Sequence, residues 1–482
     1  MRTLVWFHRW LGIATCVIFA LWFASGAVLL LVPFPSLAKS DAQKLGQLVD
    51  VAAVRIAPDR ALALTGGSGL RLRQRAGVPV YIAGGTNGFV TIDARTGRRL
   101  SLLSPAGAAA MLADRAGGPI TSVEGPITYD QWVVHDGFDA LRPFYRVSIG
   151  DGRGTRIYVS AQTGEIVQRT TTRERAWNWV GAVLHWVYFT PLRASFSAWD
   201  RTVWILSFVA MLVAGAGMIV GIVRTVAVRR ARRPGLTYFK PQWMRWHHLT
   251  GLFVGIFVMT WILSGWLSMD HGRLFSRGRA TPAELANYAG LTDQGMTAAT
   301  PLAALQRLPA SHEIRLTAAA GTPLLSVVGR DGLSRLWTNA GAPLTSQQAA
   351  SLYAVAVQRA WPRPAMPVAT PVAPDDLYVL AEGMPASAVR FEGGPDQPDI
   401  YIDRADGQIL TVMSTSRAAY AWIYYGLHSF NFPGLARHQI VRDAIVLALM
   451  LAGFLFSVTG VVLGWQRLRK TIAPRIPKEV LR

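Results

Sequence analysis

Four stretches of this chain are apolar almost without interruption: residues 10–32, 202–223, 249–269 and 444–465. Each reaches the roughly 20 residues that an α-helix needs to cross a hydrocarbon core, so the pattern predicts four spans. Two long polar stretches separate the first span from the second and the third from the fourth. In them the period changes from helical to alternating, at 88–97, 156–167 and 399–410. Each of these segments runs into a Thr-Gly or Asp-Gly step, which predicts antiparallel hairpins. The expected architecture is an α-helical four-span membrane bundle with two α+β regions outside it.

The same pattern occurs twice. His8-Arg9-Trp10-Leu11-Gly12 opens the first span and His247-His248-Leu249-Thr250-Gly251 opens the third, and Ser25-Gly26 and Ser264-Gly265 follow at one common distance. Leu184-His185 and Leu427-His428 then precede Asp200 and Asp443 by equal intervals, and each Asp leads into an apolar run. Gly164 and Gly407, in the second and third alternating segments, are separated by the same interval as His185 and His428. Spans and polar regions therefore read as an internal tandem duplication.

Charge sets the orientation. Lys and Arg number 49 against 28 Asp and Glu, a net charge of +21. Much of the excess lies in two segments: Arg224, Arg229, Arg230, Arg232, Arg233, Lys240 and Arg245 after the second span, and Arg467, Arg469, Lys470, Arg475, Lys478 and Arg482 after the fourth. The positive-inside bias puts both in the cytoplasm, with N- and C-termini inside and the two large loops outside. Topology and anionic membrane lipid account for these charges, and a nucleic-acid partner is not expected. The run Arg71-Leu72-Arg73-Gln74-Arg75 in the first outer region is expected to form a solvated basic face. Ser36-Leu37-Ala38 has the small residues of a cleavage site, but the first span has an internal counterpart and reads as a retained anchor.

The histidines carry the chemistry. An ionisable side chain at membrane depth usually marks a functional site, and paired axial imidazoles suit a low-spin haem. His8 with His247, at the cytoplasmic edge, and His185 with His428, at the outer edge, are the expected ligands of two haems. His248 points about 100° away from His247 on a helix and is a weaker candidate, as is His271, which has no histidine counterpart. The single Cys16 excludes a disulfide or a covalent haem attachment within one chain, so any haem is b-type. Aromatic stretches at 176–189 and 420–430 flank His185 and His428 as pocket walls. Arg193, Arg201, Arg273, Arg437 and Arg442 are placed near the outer edge, where a haem propionate would lie.

The hairpins Tyr158-Val159-Ser160 to Thr163-Gly164-Glu165-Ile166 and Tyr401-Ile402-Asp403 to Asp406-Gly407-Gln408-Ile409 resemble PepSY domains. With the His-Arg-Trp-Leu-Gly, Ser-Gly and Leu-His segments, nearly the whole chain resembles the PepSY-associated transmembrane family, which includes inner-membrane ferric-siderophore reductases. The resemblance implies membrane histidines that bind haem b and a ferric siderophore as periplasmic electron acceptor in a bacterial inner membrane. The implied order is a first span (1–32), a periplasmic PepSY-like region (33–172), an aromatic helix with His185 (173–198), a second span (199–224) and a basic cytoplasmic loop (225–246). A third span (247–270), a second PepSY-like region (271–415), an aromatic helix with His428 (416–439), a fourth span (440–466) and a basic tail (467–482) come after it.

No dinucleotide fingerprint, P-loop or zinc spacing is present, and neither cytoplasmic segment is long enough to fold a flavin or nicotinamide domain. The electron donor is then a cytoplasmic reductase or membrane quinol. Two other functions fit the same sequence: a haem-free PepSY sensor or protease-modulating membrane protein, and a haem electron carrier for a separate periplasmic reductase.

Overall fold

The structure, a computed structural model, describes residues 1–86, 88–394 and 396–472. Arg475, Lys478 and Arg482 of the basic tail lie outside the described residues. The chain forms two compact units.

The first unit comprises Met1–Phe34, Trp177–Leu274 and the chain from Tyr420 onward. It contains four long apolar helices, Arg2–Leu31, Phe196–Arg230, Gln242–Ser268 and Gln439–Ile472. They are 27 to 35 residues long, longer than the apolar runs, because Arg and Gln propagate a helix as readily as Leu does. Ser195 starts the second helix by accepting from the Ala198 N–H. The first helix packs on the second and fourth, and the third on the second and fourth, which closes a ring. Phe19, Phe23, Ala210, Val213, Val258, Trp261, Ile262 and Val446 fill its centre.

The second unit comprises Pro35–Ala176 and Phe275–Ala419. Its strands are β1 (Ser68–Arg75), β2 (Val78–Gly85), β3 (Gly88–Asp93), β4 (Ile120–Ile127), β5 (Phe144–Ile149), β6 (Arg156–Ser160) and β7 (Ile166–Thr170), then β8 (Ser311–Ala319), β9 (Thr322–Gly329), β10 (Ser334–Thr338), β11 (Ala369–Pro371), β12 (Ala388–Phe391), β13 (Asp399–Asp403) and β14 (Ile409–Met413). Two four-stranded antiparallel sheets, β4-β5-β6-β7 and β11-β12-β13-β14, follow chain order. The β6–β7 and β13–β14 hairpins are those read from the alternation, and each slips register at the same place, after Tyr158 and after Tyr401. The segment at 88–97 does less, forming β3 and then only an Ile92–Arg99 bridge.

The two outer regions are not separate bodies. β1 pairs antiparallel with β8, Leu72 opposite Ile314, in one six-stranded sheet ordered β10-β9-β8-β1-β2-β3. Leu70, Leu72, Tyr81, Ile92, Ile314, Leu316 and Leu325 pack beneath it. Alternation along β1 sends Leu70 and Leu72 into that core and the arginines to the opposite face. That face is not the solvated one expected from the sequence. Arg71 and Arg73 meet Glu165 at 2.7 and 3.1 Å, and Arg73 meets Glu313 at 3.1 Å. Arg75 is buried and donates to the carbonyls of Ser101 and Ala161. Acidic groups distant in sequence neutralise Arg71 and Arg73. Burial raises the Glu313 carboxyl, but Arg73, Arg315 and Arg71 outweigh it and hold the group below its ordinary range.

Candidate functional site: two histidine pairs across the bundle

The four repeat-matched histidines meet as two pairs. The His8 and His247 ring centroids lie 6.3 Å apart, and those of His185 and His428 lie 6.4 Å apart. Each pair joins one histidine from each half of the chain.

The pairs are held alike. His8 donates from Nδ1 to the Val213 carbonyl at 3.0 Å, and His247 from Nδ1 to Thr459 Oγ1 at 2.8 Å. His185 Nδ1 faces the Trp22 carbonyl at 3.1 Å and Ser25 Oγ at 3.2 Å. His428 Nδ1 faces the matching Trp261 carbonyl at 3.2 Å and Ser264 Oγ at 3.1 Å. All four rings commit Nδ1 to the protein, and none makes a hydrogen bond through Nε2 among the described residues. A carbonyl acceptor on Nδ1 fixes the tautomer that leaves the Nε2 lone pair available to a metal.

A glycine stands against every ring. A Cβ built at Gly217 would lie 2.5 Å from His8, at Gly26 3.0 Å from His185, at Gly265 3.3 Å from His428, and at Gly460 3.7 Å from His247. Gly26 and Gly265 belong to the Ser-Gly pairs visible in the sequence. Gly217 and Gly460 were missed, although they are separated by the same interval as His185 and His428.

His185 and His428 are placed by irregular helix. A π-helical segment, Trp179–Val183, ends just before His185, and another, Trp422–His428, ends on His428. The wider turn inserts an extra residue and rotates the next side chains to a new direction. Two residues beyond each histidine the backbone turns left-handed, at Val187 (φ 55°) and Phe430 (φ 57°). Such a conformation costs a non-glycine residue about 1–3 kcal/mol and persists only where the surroundings impose it. Its occurrence at both matched positions marks these turns as part of the site.

The weaker candidates fall elsewhere. His248 is buried against the second helix, with Nε2 donating to the Gly221 carbonyl at 3.1 Å, the opposite tautomer to its neighbour. His271 donates from Nδ1 to Asp200 Oδ2 at 2.6 Å and packs against Trp204. Arg193 is buried over the rings of Tyr188, Phe196 and Trp199, and Arg442 bonds Asn431 and Asp443.

The donor set and ring separation at each pair would suit one metal ion held between two imidazoles. Imidazoles bound through Nε2 on opposite sides of one metal, with bonds of about 2 Å, place their centroids about 6 Å apart, as both pairs do. Trp266, next to Gly265 in sequence, points elsewhere: its ring packs on Trp204 and Phe208 of the second helix.

A membrane bundle whose halves each supply one histidine to two cross-bundle pairs defines the class of protein. The sequence profile described as PepSY-associated TM region matches residues 5–467, nearly the whole chain, and the chain belongs to that family. No curated protein matches it.

Proposed function

We propose that this protein is a di-haem b inner-membrane electron conduit that reduces a periplasmic acceptor, a ferric siderophore, for iron release. The observation carrying the reading is the paired geometry: two histidine couples about 6 Å apart, all four rings fixed through Nδ1 with Nε2 uncommitted. Bound haem would supply one-electron transfer between the two membrane faces, which the side chains alone do not provide.

The residues do the holding. His8 and His247 are the ligands at the cytoplasmic edge, His185 and His428 at the periplasmic edge. Val213, Thr459, Trp22, Ser25, Trp261 and Ser264 orient the rings, and the facing glycines let helices approach them closely. In this reading the chain is a tandem duplication, both termini are cytoplasmic, and the two four-stranded sheets are PepSY modules on the periplasmic side. A cytoplasmic reductase or quinol is the electron donor. Ferrous iron is held less tightly than ferric iron by hard oxygen chelators, so reduction favours release.

The test is vectorial. Purified protein is reconstituted into liposomes with dithionite trapped inside and a ferric hydroxamate chelate outside. External ferrous iron should appear with wild type and not with His185→Ala or His428→Ala. Reduced haem without external ferrous iron would favour the carrier role, and absence of haem would favour a PepSY sensor.

A further inference from the structure

An open cleft of about 500 Å³ lies at the end of the bundle that holds His8 and His247. The connection between the second and third helices, Pro234 to Lys240, forms most of its wall, and Arg245 and Leu249 of the third helix complete it. The connection is tied down. Thr225 Oγ1 lies 3.2 Å from the Leu236 carbonyl, and Arg224 hydrogen-bonds the Tyr238 hydroxyl and lies over its ring. The Phe239 ring meets His248 edge-on, centroids 5.4 Å apart. Lys240 and Arg245 stand exposed at the wall and form no ion pair among the described residues. No acidic residue occurs between 224 and 246.

Two cations without an ion pair share one lining with apolar Leu236, Phe239 and Leu249, which matches an anion attached to something apolar. We infer that this cleft binds a phosphate group, that of an anionic phospholipid headgroup, through Lys240 and Arg245. It lies where two of the candidate membrane helices end. Basic pockets between membrane helices hold anionic headgroups for this reason. A free phosphate would satisfy the cations but make no use of Leu236, Phe239 and Leu249 in the lining. The inference requires the membrane bundle and does not require haem.

The test is native mass spectrometry of the full chain with phosphatidylglycerol or phosphatidylcholine added to the detergent. Wild type should retain phosphatidylglycerol and not phosphatidylcholine. Lys240→Gln with Arg245→Gln should bind it about 30-fold more weakly, at about 1 kcal/mol per charge. Arg232→Gln with Arg233→Gln removes the same charge from the same connection but not from the cleft wall, and should bind as wild type does. Unchanged thermal unfolding in both double variants excludes misfolding. Retention of the lipid in millimolar inorganic phosphate assigns the site to the membrane, and its displacement assigns the site to free phosphate. Equal loss in the two double variants, or none in either, would overturn the inference.

Discussion

Gly217 and Gly460 occupy matched positions, yet alanine should act differently at each. At Gly217 the new Cβ would sit 2.5 Å from His8 Cε1, 3.0 Å from Nδ1 and 3.3 Å from Nε2. Ordinary carbon contacts begin at about 3.5 Å, so the ring must retreat by about 1 Å. That retreat stretches the 3.0 Å bond from Nδ1 to Val213 and shifts the ring relative to His247. Overpacking of this kind costs about 1–3 kcal/mol, which weakens haem retention at this pair roughly 5- to 150-fold. At Gly460 the closest ring atom is 3.7 Å away, an ordinary contact, and alanine also favours the helix by about 1 kcal/mol. The assay is pyridine-haemochrome stoichiometry after dialysis against apomyoglobin, with thermal unfolding as a fold control. Gly217→Ala should lose close to one haem per chain while Gly460→Ala keeps both. Equal retention by the two variants would refute the reasoning.

His247→Ala should lose one haem and His248→Ala none, because His248 Nε2 is committed to Gly221; pyridine-haemochrome counts of the two variants decide it. Ser25→Ala and Ser264→Ala should each leave the ring its backbone acceptor, so haem stays bound with affinity reduced about tenfold, read by transfer to apomyoglobin. Glu313 titrates below its ordinary range when folded, so its stabilisation is present above the unfolded carboxyl value of about 4.3 and is lost as pH falls through the lower folded value. Chemical denaturation between about pH 3 and 7 should show this acid-side loss. Glu313→Gln should be less stable at neutral pH by about 3 kcal/mol, because Arg71 and Arg73 lose half of their compensation, and should be less acid-sensitive in the same assay.

The spans and the four paired histidines were legible because both are written in local, repeated signals: long apolar runs, and His-x-x-x-Gly or Leu-His at fixed intervals. The repeated spacing pointed to partners that no single half of the sequence reveals. Gly217 was not legible, since it lies in Ala214-Gly215-Ala216-Gly217, where small residues read as ordinary helix packing. The left-handed turns at Val187 and Phe430 were hidden for the opposite reason, since a β-branched and an aromatic residue are among the last expected there. The β1–β8 pairing and the neutralisation of Arg71 and Arg73 by Glu165 and Glu313 depend on contacts far apart in sequence, for which alternation gives no partner. The repeat already favoured His247 over His248, and the helix rotation agrees, setting one imidazole beside His8 and the other against Gly221.

The central claim is that each histidine pair holds one haem, and a dithionite-reduced minus oxidised visible spectrum of purified protein, with pyridine-haem quantification, tests it most directly. The account predicts b-type bands at two haems per chain, with His8→Ala and His185→Ala each losing one. A haem-free wild-type protein, expressed with ample haem supply, would contradict it.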